Sequence, residues 1–287
     1  MRSWLVSASL LLVGLSLGQS SPAPATKNAP AERKPALATA KPRPLPEFRV
    51  VDQDWGGAPA PDIRKVLESA AGTLWKWFPD HKIEPFVVMR GHNGPIVHFQ
   101  RNLRGEIIMN LDTQGSYWSQ FAYQFAHEFC HILARYDKDW NGNLWFEETL
   151  CETASLYALR RMASQWREHP PYPNWKSYAA ALEKYVEDVI KTREKLTKAG
   201  LAQFYQKHES ALRQKPTERT LNGAMSVVML EFFEQEPARW ESINWLNSAP
   251  SKEGESFDEY LAKWAAAVPD RHKAFVGELR KVFGMVR

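Results

Sequence analysis

Within this 287-residue chain, His127-Glu128-Phe129-Cys130-His131 has the residue types and spacing best suited to chemistry. On a helix, positions i and i+4 lie one turn apart on one face, so both imidazoles can reach a single Zn2+. Glu128 stands near enough to hold a metal-bound water and serve as general base. Two histidines leave such a metal one protein ligand short, with a further position open for water. Two stretches offer the missing ligand. Asp137 follows His131 as in HExxHxxGxxH/D, although Ala134 stands where that pattern has a Gly to turn the chain back. The second stretch is Trp145-Phe-Glu147-Glu148-Thr-Leu-Cys151-Glu152.

Asp137 to Glu148 also supports a calcium reading. Asp137, Asp139 and Asn141 fall at positions 1, 3 and 5 of an EF-hand loop, Gly142 at 6, Leu144 at 8 and Glu148 at 12. One carboxylate cannot both close a calcium loop and serve a zinc ion held by the histidines. EF-hands usually come in pairs, the chain carries no second loop, and a lone loop leaves the HExxH segment unexplained. Zinc is therefore the expected cofactor and Ca2+ the alternative.

These residues need helices to carry them. Apolar spacing predicts one over Ser119–Tyr136 and a second over Trp145–Arg167. Upstream, the pattern predicts a helix over Asp62–Phe78 that stops at Pro79, and a short strand over Glu84–Met89. Ile96–Gln100 and Glu106–Leu111 flank Asn102-Leu-Arg-Gly105 and read as a β-hairpin. Downstream the chain reads as helical over 174–196, 201–213, 220–234, 257–267 and 270–283. The expected fold class is α+β, a small β-sheet followed by a mostly helical body.

The first 20 residues read as a signal peptide, with Arg2 before an apolar run from Trp4 to Leu17 that is too short to span a bilayer. Residues 21–46 hold seven of the 19 prolines and read as a disordered linker. The working domain is then 47–287, with export to a secreted or periplasmic location. Of the net charge of +4, Arg2 and the linker carry the positive excess, which leaves 47–287 near neutral. Such a balance gives no nucleic-acid surface.

The segment from His127 to Glu152 resembles the gluzincin zinc metallopeptidases, in which HExxH is followed by a ligand Glu on the next helix. Their frequent Trp-x-x-Glu aligns with Trp145–Glu148. The resemblance implies a zincin-like fold, with His127, His131 and Glu148 as metal ligands and Glu128 as catalytic base. It implies that Glu152, one turn beyond Glu148, bonds the first motif histidine, and that Glu106–Asp112 forms the edge strand pairing with a peptide substrate. Glu147, about 100° around the helix, is expected to be solvated or a loop contact. The oxyanion donor of such enzymes has three candidates here, His208 first, then Tyr205 and Tyr123. Antiparallel ligand helices would place Cys130 and Cys151 on one side of the pair, where an exported protein can bridge them. The function implied is hydrolysis of peptide or protein substrates. The alternatives are a non-catalytic binding protein on the same scaffold and a calcium-binding helix-loop-helix protein.

Overall fold

The computed structural model describes residues 43–136 and 142–285. The expected signal peptide, most of the expected linker, and Asp137, Asp139 and Asn141 lie outside the described residues. The last four linker positions are packed against the body. The Arg43 guanidinium sits 3.9 Å from the centre of the Trp75 ring and donates to the carbonyls of Phe78 and His81. Trp75 Nε1 donates to the Pro44 carbonyl at 2.8 Å, and Leu45 packs on the core. An Arg that can stack and hydrogen-bond together anchors a segment whose composition alone argues for disorder.

The molecule is α+β, a four-stranded sheet followed by a mostly helical body. The strands are β1 (Phe48–Val50), β2 (Phe86–Arg90), β3 (Ile96–Arg101) and β4 (Ile107–Leu111), in the order β1-β2-β4-β3. β3 and β4 form the expected antiparallel hairpin, with an irregularity between Val97 and Arg101. β4 is not the edge. It pairs in parallel with β2 along its whole length, from Phe86↔Ile107 to Arg90↔Leu111, and with β3 on its other side. Alternate burial of Ile107, Met109 and Leu111 fits this central position. The edges are β1 and β3, and β3, which packs on the helix that follows the sheet, leaves Phe99 exposed.

Helix α1 (Ala60–Trp75) packs on β1 and on α2 (Trp118–Leu133). Phe121, Phe125 and Phe129, spaced four apart, make one apolar stripe along α2. Their rings meet Trp55, Phe48, Phe86 and Trp75 at centroid distances of 5.6 to 6.4 Å. Tyr123, His127 and His131, also four apart, therefore turn away from the sheet toward α3 (Leu144–Trp166). Helix α3 is apolar nearly all round because α1, α2, α4 (Ala179–Lys191) and α6 (Arg219–Gln235) surround it.

The expected helix over Ser119–Tyr136 ends three residues early. Ala134 keeps right-handed helical backbone, while Arg135 takes φ +57 and Tyr136 N–H closes onto the His131 carbonyl at 3.1 Å. The chain turns at Arg135, a residue type that takes this conformation at a cost, and the Arg135 Nε bond to Asn244 Oδ1 at 2.8 Å helps hold it. The expected helix over 174–196 divides into a 3-10 segment, Pro173–Tyr178, and α4. Helices α5 (Leu201–Gln214), α7 (Phe257–Ala267) and α8 (Asp270–Val282) complete the body with a 3-10 stretch, Pro237–Trp245. Among the described residues no helix is long and apolar enough to cross a membrane.

Candidate metal centre

The two motif imidazoles stand on one face of α2 with ring centroids 5.2 Å apart. Glu148, in the first turn and a half of α3, faces both of them. One of its carboxylate oxygens lies 3.2 Å from His127 Nε2 and the other 3.7 Å from His131 Nε2. Both Nδ1 atoms face other carboxylates. His127 Nδ1 is 3.8 Å from Glu152 Oε1, and His131 Nδ1 is 2.6 Å from Glu147 Oε1. The Glu147 bond can fix the His131 ring and leave its Nε2 for a metal, whereas Glu152, expected to bond the first motif histidine, faces His127 Nδ1 at ion-pair distance without a hydrogen bond.

Glu147, expected to be solvated or a loop contact, is buried, and its second oxygen accepts at 2.6 Å from Asn247 Nδ2, in the turn after Pro237–Trp245. The same Asn247 amide donates to the Ala134 carbonyl at 3.0 Å, and its Oδ1 accepts from Tyr260. A position on one helix does not show that α2 closes over that flank of α3, where His131 reaches Glu147 as well as Glu148. Nothing in the local sequence points to Asn247, which folding alone brings in.

Electrostatics follow from four carboxylates gathered around two imidazoles. Burial alone would depress His131, but the charges of Glu148 and Glu147, with the Glu147 bond, raise it to about 10. His127 is raised against burial by its bond to Glu148 and the charge of Glu128. Burial pushes Glu128 up, against the pull of both imidazoles and a hydrogen bond from Val97 N–H. Burial also acts to raise Glu152, but the Arg193 charge, His127 and bonds from Tyr123 and Arg193 hold it at about 2. The cluster thus draws positive charge inward. A divalent cation could supply that charge in place of the imidazole protons. The donor set of two imidazoles and one carboxylate fits zinc.

A second arrangement of donors is present. Ligating atoms of His127, His131 and Cys151 all lie within 4.8 Å of one another, so this trio could also hold a metal ion. Both cysteines are free thiols, completely buried, and the expected bridge between Cys130 and Cys151 is not formed. Burial and its hydrogen bond with Cys130 push the Cys151 thiol up, so binding a metal there would have to displace its proton. Glu148, for its part, presents its two oxygens to the two Nε2 atoms. That orientation also bears on the calcium reading, since a loop closed at position 12 needs this same carboxylate.

His208 is not brought to the centre. Its ring packs on Phe204 at 4.7 Å, and no hydrogen bond, ion pair or ring contact joins it to the histidines among the described residues. Tyr205 stacks on Trp145 at 5.2 Å within the aromatic core. Tyr123 is in the cluster, but its hydroxyl donates to Glu152 and so supports that carboxylate. The alternative ligand Asp137 lies outside the described residues. Compared with known proteins, the chain matches no family model, no curated protein and no solved structure.

Proposed function

We propose that the chain is an exported zinc-dependent metallopeptidase of gluzincin type, with zinc held by His127, His131 and Glu148. The observation that carries the reading is the convergence of both Nε2 atoms on Glu148 while each Nδ1 meets a separate carboxylate. The signal-peptide pattern of Met1–Leu17 supports export. When bound, zinc supplies Lewis acidity that activates a water and polarises the carbonyl under attack. Glu128 does the proton work. Its carboxyl is buried and raised, so it can take a proton from the attacking water and pass it to the leaving amine. Val97 N–H, on the edge strand β3, hydrogen-bonds that carboxylate. The Glu147 bond favours the His131 tautomer with free Nε2, and the Glu152 charge 3.8 Å from His127 Nδ1 favours the same tautomer there.

The test is Glu128→Gln in the full exported chain, assayed on quenched fluorescent peptides of mixed sequence. One zinc per chain should remain by mass spectrometry, while kcat falls about 10^2- to 10^4-fold, the range for loss of a general base. Undiminished hydrolysis would exclude Glu128 as the base. No hydrolysis by the zinc-loaded wild type on any peptide would leave a binding protein as the better account.

A further inference from the structure

The centre has a layer behind its ligands that comes from the far side of the helical body. Arg193 lies in the turn after α4, with its side chain mostly buried. Its Nη2 donates to Glu152 Oε2 at 2.7 Å and to Tyr123 Oη at 2.8 Å. Its Nη1 donates to the Gly223 carbonyl at 3.2 Å and to Ser226 Oγ. The guanidinium therefore ties α6 to Glu152, whose other oxygen faces His127 Nδ1 at 3.8 Å.

Gly223 gives an independent sign that the path of Arg193 is built in. It lies inside α6, where Gly is intrinsically poor and Ala would be favoured. A Cβ at that position would lie 3.1 Å from Arg193 Nε and 3.2 Å from Cζ. The missing side chain leaves the channel through which the guanidinium reaches Glu152.

We infer that Arg193 is a positioning residue for the metal centre, acting through Glu152 to hold the His127 ring with Nε2 toward the metal. The inference rests on the zinc site proposed above, although not on the reaction assigned to it. Arg193 touches neither histidine in any described contact, so its effect must pass through Glu152. Its planar fork suits the task because one nitrogen serves Glu152 and Tyr123 while the other is anchored to α6. A Lys in its place keeps the charge and loses the fork.

The experiment measures zinc affinity by competition with a chromophoric chelator, together with the visible spectrum of the Co2+-loaded protein, which reports ligand geometry. It uses the wild type, Arg193→Gln, Arg193→Lys, Gly223→Ala and Glu152→Gln, and Arg193→Gln combined with Glu152→Gln. Arg193→Gln should weaken zinc about 10-fold, the lower end for partners that orient a ligand, and alter the Co2+ spectrum. Arg193→Lys should recover part of the loss. With Glu152→Gln already present, Arg193→Gln should add less than about twofold, because the route is gone. Gly223→Ala keeps the arginine and improves the helix, so it stays measurable if Arg193→Gln folds poorly, and it should still lower zinc affinity. Equal zinc affinity in the wild type and Gly223→Ala, or an undiminished Arg193→Gln effect without Glu152, would overturn the inference. A wild type that takes up no zinc would overturn both this inference and the proposed function. Zinc uptake without peptide hydrolysis would overturn the peptidase reading alone.

Discussion

Replacing Glu147 by Gln changes one charge at the back of His131 and almost nothing in shape. In the native protein Glu147 Oε1 meets His131 Nδ1 at 2.6 Å and Oε2 accepts from Asn247 Nδ2 at 2.6 Å. A glutamine keeps one acceptor. If it serves His131, its amide group points at Asn247, donor against donor, and Asn247 cannot simply flip because its Oδ1 already accepts from Tyr260. A hydrogen bond to a charged group contributes about 1.5–3 kcal/mol against about 1 kcal/mol for a neutral one. The difference, about 1–1.5 kcal/mol, is close to a tenfold weakening of zinc binding. Glu147→Ala leaves Nδ1–H buried without a partner, and the loss should approach 100-fold. Titration against a chromophoric chelator at fixed pH and salt reads both values, and circular dichroism of the metal-free variants checks the fold. Zinc affinity within twofold of wild type in both variants would refute the argument that Glu147 orients His131.

Glu148→Ala should abolish stoichiometric zinc in the dialysed protein, since two imidazoles alone form a much weaker site; retained zinc would point to Cys151 as the third ligand. Thiol titration should detect no reactive cysteine in the native protein and two after denaturation without reductant, and a bridged pair would give none. A chain beginning at residue 47 should be less stable to urea than one beginning at residue 43 by about 2 kcal/mol, from the lost stacking and hydrogen bonds of Arg43. Stability should also fall on acidification because of His81. Burial, with the charges of Arg135 and Arg43, lowers its folded-state pKa to about 4, and neither ring nitrogen has a hydrogen-bond partner. The unfolded chain takes up that proton near pH 6.5, so from about 6.5 down to about 4 it binds more protons than the folded one, and stability drops with falling pH. The loss should be about 2 kcal/mol after allowance for partial solvation, and His81→Phe, which suits the rings of Trp75 and Phe78, should flatten the urea midpoint over that range.

Local signals carried well. The hairpin, α2 and α3 are each set by residues close in sequence, so periodicity and turn chemistry suffice to find them. The HExxH geometry is likewise a property of one helix. Long-range placement was harder to read. Whether β4 lies inside the sheet depends on β2 pairing along it, and nothing in Ile107–Leu111 says which neighbour it takes. A three-residue strand such as β1 has too few positions to show alternation. Residues 43–46 read as linker because composition averages over Arg43, whose stacking on Trp75 is a single specific contact. The resemblance through Trp145–Glu148 singles out Glu148, and its carboxylate does face both motif imidazoles. Glu147, Asn247 and Arg193 depend on how three helices and a connecting segment close around α2.

The proposed ligands and their supports come from opposite kinds of connection. His127, His131 and Glu148 span little more than twenty residues of chain, whereas Val97, Arg193 and Asn247 come from the sheet, the turn after α4 and the C-terminal third. Partial opening of the C-terminal helices would leave every ligand attached to its own helix yet release Asn247 from Glu147. The rate at which bound zinc escapes to a chelator should then track breathing of segments remote from the motif. Metal release becomes an internal gauge of the whole body's integrity, readable before any helix has melted.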